Sequence, residues 1–191
     1  ERHRRDGRRA IEDFLARGKR YDAPAVVVQD RTVSRFTASG SQITLTHNII
    51  QVLEKQGMER WGEVRLPEGV AVLTLRTIKR DGSTRAPESI LGKESASLPD
   101  LEVGDFVEVE YLEAAPPPEA YDGLLGPRFF FRSFHGPLVT SEYVVEAPRG
   151  MTLQIDARGG APRPLRELGA QAQVLRWIAR DQPRLVTEPG A

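Results

Sequence analysis

Alternation of apolar and polar side chains dominates this chain. In Phe106 to Leu112 (FVEVEYL), Val107, Val109 and Tyr111 fall on one side of an extended backbone, and Glu108 and Glu110 on the other. Successive side chains of a strand point to opposite faces, so this pattern predicts one buried face and one wet face. The segment is approached through Leu98-Pro99-Asp100-Leu101 and a turn at Gly104-Asp105. An apolar strand face needs a second sheet or a helical layer over it.

The same reading extends along the chain. Residues 1–18 form an expected helix, with Ala10, Ile11, Phe14 and Leu15 as its stripe and Gly18 as its C-terminal cap. Ala25 to Gln29 and Thr32 to Thr37 read as two short strands, separated by a turn at residues 38–41 from the long run Gln42 to Leu53. In that run Ile43, Leu45, His47 and Ile49 share one face. Glu54 to Gly57 reads as a turn, Trp61 to Leu66 as a brief strand, and Val70 to Lys79 as a longer one before the Asp81-Gly82 turn. Pro116 to Pro118 form an extended spacer. Val139 to Ala147 and Met151 to Ala157 are expected strands, and Ala172 to Ala179 a strand or short helix. Eight to ten strands with close turn punctuation and no internal crossover helix predict a mainly β fold. The architecture expected is an antiparallel two-sheet β-sandwich with a short N-terminal helix. The division expected is residues 1–20 as an N-terminal helix ending an upstream helical region, 21–181 as the β-sandwich domain and 182–191 as a linker to a downstream region.

Composition narrows the function classes. The 191 residues carry 27 Lys and Arg against 27 Asp and Glu, so no net field favours nucleic acid or an anionic membrane. Arg2, Arg4, Arg5, Arg8 and Arg9 crowd the start, but Glu1, Asp6, Glu12 and Asp13 interrupt them, which reads as a solvated helix face. No nucleic-acid partner is expected. The absence of cysteine excludes a disulfide, a thiolate nucleophile or a thiolate metal site in these residues. No apolar run reaches the ~18–20 residues of a membrane span. Glu1 is not an initiator Met, and the chain is expected to be a piece of a longer protein.

Candidate chemistry is sparse. His3, His47 and His135 show no metal-ligand spacing, and neither a phosphate loop nor a nucleophile elbow occurs. No cofactor and no metal is expected. Glu108 and Glu110 lie roughly 7 Å apart on one strand face, a spacing compatible with glycoside chemistry. The plainer reading is that they keep an outer sheet face soluble. Trp61, Phe130 and Trp177 are the candidate ligand or partner contacts, set against the commoner fate of such rings as core. Of Phe129, Phe130 and Phe131, at least one must face outward.

Taken together, several segments resemble the bacterial domain family DUF3857. They are Ala25–Gln29, the His47 strand, Lys79-Arg80-Asp81-Gly82, and Leu98-Pro99-Asp100-Leu101 with Gly104-Asp105 before Val107-Glu108-Val109-Glu110-Tyr111. Ser141-Glu142-Tyr143-Val144-Val145 before Pro148 completes the set. The resemblance spans roughly Tyr21 to Glu188. It implies a β-sandwich module of an envelope protein, expected in the periplasm, next to a transglutaminase-like domain and in some chains after helical repeats. The Cys-His-Asp chemistry of such a partner maps onto no residue here, and the family offers no catalytic residues to transfer. The expectation is a non-catalytic accessory module of that cysteine-hydrolase domain. The alternative is an independent peptide- or glycan-binding module. An enzyme in its own right would rest on Glu108, Glu110 and His135 alone.

Overall fold

The structure, a computed structural model, describes residues 3–89, 95–117 and 128–186. Helix α1 (Gly7–Ala16) is followed by strands β1 (Ala25–Phe36) and β2 (Gln42–Val52), then helix α2 (Lys55–Trp61) and strand β3 (Glu63–Arg65). Strands β4 (Ala71–Ile78), β5 (Thr84–Arg85), β6 (Glu88–Ser89) and β7 (Ser95–Ser97) lead to β8 (Phe106–Ala115). Strands β9 (Leu138–Pro148), β10 (Leu165–Leu168) and β11 (Ala172–Gln182) complete the order.

Eight strands form one sheet in the order β10-β11-β9-β1-β2-β8-β4-β5, and β3-β7-β6 form a small second sheet. The mainly β expectation holds. The wholly antiparallel one does not, because β1 and β9 run parallel, from Val27 opposite Leu138 to Arg35 opposite Glu146. This seam joins an antiparallel half built on β1, β2, β8 and β4 to the β9, β11, β10 meander. No helix inserted directly between two neighbouring strands is needed, since β2 to β8 intervene in the chain.

Both faces of the large sheet are covered, which the alternating pattern did not anticipate. On one face Ile11 and Phe14 of α1 pack with Val26, Val28, Ile49, Ile78, Phe106 and Val139. Asp6 caps this helix by accepting from the Arg8 amide at 2.9 Å. On the other face Val64 and Leu98 of the small-sheet region join Val52, Val107 and Val109, with Met58, Trp61 and Tyr111 partly buried alongside. Further along, Phe36, Val145, Leu175 and Trp177 gather Phe131, Met151 and Leu153.

Several local expectations change for tertiary reasons. The two strands read before and after Asp30 are one 12-residue strand, with a bulge between Val27 and Gln29. Glu54 to Gly57 is not a simple turn, and Trp61 ends a helix rather than starting a strand. Met58 and Trp61, three apart, turn toward the same core. Gly57 lets α2 lie against the chain, since a Cβ there would sit 2.2 Å from the Pro24 carbonyl oxygen. Met151 to Ala157 is not a strand. Met151 and Leu153 still reach the core, while Ile155 is 48% exposed. Pro118 lies outside the described residues.

Candidate functional site

The face of the large sheet beneath the N-terminal segment carries a belt of buried charge. Cross-strand register places Arg31 beside both His47 and Glu142, and His47 beside Glu110. Side chains directly opposite in neighbouring strands share a face. Glu108, Glu110, Glu142 and Glu146 are 3%, 2%, 2% and 4% exposed, and Arg31 and His47 are 4% and 1% exposed. Glu108 and Glu110 therefore do not form a wet outer face. They are on a central strand whose second face is roofed by α1 and the residues before it.

Buried charge survives only when it is paired and hydrogen-bonded, and each of these carboxylates is. His47 Nε2 lies 2.9 Å from Glu108 Oε1, and Arg76 Nε donates to Glu108 Oε2 at 2.7 Å. Burial pushes the Glu108 carboxyl up, but the His47 and Arg76 hydrogen bonds outweigh it and hold the group below its ordinary range. Glu108 is thus the ionised acceptor and His47 Nε2–H the donor, while His47 Nδ1 is buried without a hydrogen-bond partner. Arg31 Nε donates to Glu142 Oε2 at 2.8 Å, and Arg176 lies 3.3 Å from the other oxygen.

Arg35 of β1 lies 3.6 Å from Glu146 Oε1, and further counter-charges come from the start of the chain. His3 Nε2 is 2.8 Å from Glu146 Oε2, Arg4 Nε donates to Glu110 Oε2 at 3.0 Å, and Arg5 donates to Glu142 Oε1 at 3.0 Å. Arg31 in turn donates to the His3 carbonyl at 2.6 Å. Gly7 permits the close approach, for a Cβ there would fall 1.9 Å from Glu108 Oε1. The basic start of the chain is therefore a strap over an acidic sheet face. The sequence shows the arginines and the glutamates but not their pairing, which spans separations of 106 and 137 residues.

The opposite face holds an acid of another kind. Asp30 accepts from Ser141 Oγ at 2.9 Å, and Asn48, with its amide nitrogen turned inward, reaches the other oxygen at 3.2 Å. Burial raises the Asp30 carboxyl to about 6, against the lowering effect of Ser141.

The aromatic candidates part company. Trp177 is 7% exposed and stacked 5.5 Å from Tyr143, so its ring belongs to the core and is closed to a ligand. Trp61 is partly buried, with Arg60 5.3 Å above its ring and His135 edge-on at 6.5 Å. Phe130 is 71% exposed. Its neighbours anchor the loop: Phe129 stacks on Tyr143 at 4.9 Å and Phe131 packs on the core. Partial burial, then the positive charges of Arg60 and Arg184, lower the His135 imidazole. His135 and the Glu108–Glu110 pair are on separate parts of the molecule, the first beside Trp61 and the second under the strap. Among the described residues no three His, Asp or Glu side chains are grouped to hold a metal ion.

Residues 93–186 match the family described as a Domain of Unknown Function with solved-structure structure (DUF3857). The match takes in Leu98-Pro99-Asp100-Leu101, Gly104-Asp105, the β8 glutamates and the β9 segment, and it begins after the β1, His47 and Lys79-Arg80-Asp81-Gly82 segments that also carried the resemblance. No curated protein matches the chain. Among solved structures, that of a presumed protease from Parabacteroides distasonis has the same fold, with a TM-score of 0.72 and 16% identity. The likeness covers 88% of this chain and 38% of that one, so the chain spans about two fifths of that protein's length. At this identity the fold alone is shared.

Proposed function

We propose that this chain is a non-catalytic accessory module of a larger bacterial protein, positioning or assisting a transglutaminase-like cysteine-hydrolase domain in the periplasm. We read its small sheet as the reduced second layer of a sandwich. The observation that carries the proposal is the closed state of the acid–base groups of the belt; His135, which is exposed, is far from them and beside Trp61. A general acid or base must reach a substrate proton, and Glu108, Glu110 and His47 are each under 4% exposed and beneath a strap. Glu108 and Glu110 spend their charge on Arg76 and Arg4. The share of the Parabacteroides protein that this chain matches, 38%, also suits one module of a longer chain.

The test is a comparison of this chain with the full-length product of its gene in peptide and amide hydrolysis assays. The expected result is no turnover by the chain alone and turnover by the full-length protein, lost when a downstream cysteine is replaced. Reproducible turnover by the purified chain, abolished by Glu108→Gln or His135→Ala, would falsify the proposal. A second reading, an independent peptide- or glycan-binding module, draws on the 71% exposure of Phe130. It expects binding to a peptide or glycan array that Phe130→Ser removes.

A further inference from the structure

The cations that hold the belt are all ion-paired, but one part of the surface is not built that way. Arg128 and Arg132 flank the exposed loop, and Arg60 and Arg184 lie next to it; none of the four has a carboxylate partner among the described residues. Arg128 and Arg132 belong to the loop itself, and three contacts bring Arg60 and Arg184 to its far end. Arg60 and Arg184 both act on His135, the His135 ring meets Trp61 at 6.5 Å, and the Leu185 amide donates to the Ser133 carbonyl at 2.9 Å. The stretch from Arg128 to Pro137 contains no Asp or Glu.

From this positive ground two phenylalanines project, Phe130 at 71% and Phe134 at 54% exposure. Phe129 and Phe131 grip the core on either side of Phe130, so the loop presents its outward ring from a fixed base. Two large apolar side chains held in water gain nothing for the fold.

We propose that this surface docks on a lipid bilayer bearing anionic headgroups, with the arginines at phosphate depth and Phe130 and Phe134 entered among the headgroups. Guanidinium groups bind phosphate through a planar fork of donors, and basic residues beside an anionic leaflet add attraction within a Debye length. Aromatic and large apolar side chains above a basic face are how proteins lie in a membrane interface without crossing it. A folded acidic partner would have to offer a pocket for each protruding ring, whereas a bilayer yields around them. This docking stands independently of any downstream catalytic domain.

The experiment is co-sedimentation of the full chain with phosphatidylcholine vesicles, with and without phosphatidylglycerol, at low and high salt. The expected result is binding that requires phosphatidylglycerol and weakens with salt. Arg128→Gln with Arg132→Gln should weaken it about fivefold per arginine. Phe130→Ser with Phe134→Ser should weaken it about tenfold. Both pairs are at the surface, and an unchanged thermal transition confirms the fold of each. Failure to bind phosphatidylglycerol vesicles overturns the proposal. So does binding that the phenylalanine variant retains in full, or that soluble polyglutamate matches on this same surface, since a charge-only or acidic-protein partner then explains it.

Discussion

Glu108 shows how a single side chain acquires its role from its neighbours. Its carboxylate is 3% exposed between His47 and Arg76, and removing one member of a buried pair costs about 3 kcal/mol or more because the other charge stays behind. Glu108→Gln is expected to lower stability by about 3 kcal/mol, read from the midpoint of urea unfolding. The two shifted acids pull in opposite directions with pH. Glu108 has a lowered carboxyl, so its contribution is present above the ordinary Glu range and fades as pH falls through the lowered value. Asp30, raised from 3.8 to about 6, stabilises the fold below pH 3.8, and that contribution is lost as pH rises through about 6. Its loss is on the order of 3 kcal/mol. Asp30→Asn should therefore flatten the stability profile between pH 4 and 6 without touching the acid limb that Glu108 sets. Thermal unfolding across that range checks it, and a slope identical to that of the unaltered chain would sink the idea.

At the level of elements, the strap and helix α1 work differently although they adjoin. Arg4 and Arg5 have side chains 48% and 45% exposed, against 2% for Glu110 and Glu142. Half-exposed arginines contribute about 1 kcal/mol each, and salt screens them. Arg4→Gln with Arg5→Gln should lower stability by about 2 kcal/mol at low salt and less at high salt. It should also speed tryptic cleavage at Arg8 and Arg9, the next basic positions of the segment. Unchanged cleavage would mean that α1, not the strap, holds the segment down. Helix α1 is held by apolar burial instead, through Ile11 at 7% and Phe14 at 6% exposure.

For the molecule as a whole, that burial makes α1 part of the fold rather than an appendage. It covers Val28, Ile49, Phe106 and Val139 on the large sheet. Deleting residues 1–17 should uncover that cluster together with the glutamates of the belt, giving a chain that binds ANS and loses its sharp thermal transition. A deletion variant that melts cooperatively near the original temperature would show instead that the β core is self-sufficient. The parallel β1–β9 seam joins the halves of the sheet by contacts more than 100 positions apart in the chain, pairing that folds slowly because the loop must close before any contact forms.

Local pattern by itself determined the mainly β character, nearly the whole of β2, β8 and β9, and the helical stripe of Ile11 and Phe14. It also placed one outward ring in the Phe129–Phe131 run. These follow from side-chain direction along a single element, which period-two or i, i+3 spacing reports directly. Tertiary structure alone decided that β1 and β9 run parallel, that Glu108 and Glu110 are buried, and that Arg4 and Arg5 neutralise Glu110 and Glu142. Alternation says that two faces differ, not that both are covered. A glutamate is written the same way whether water or a distant arginine satisfies it, and only the packing of α1 and its strap onto the sheet makes that choice.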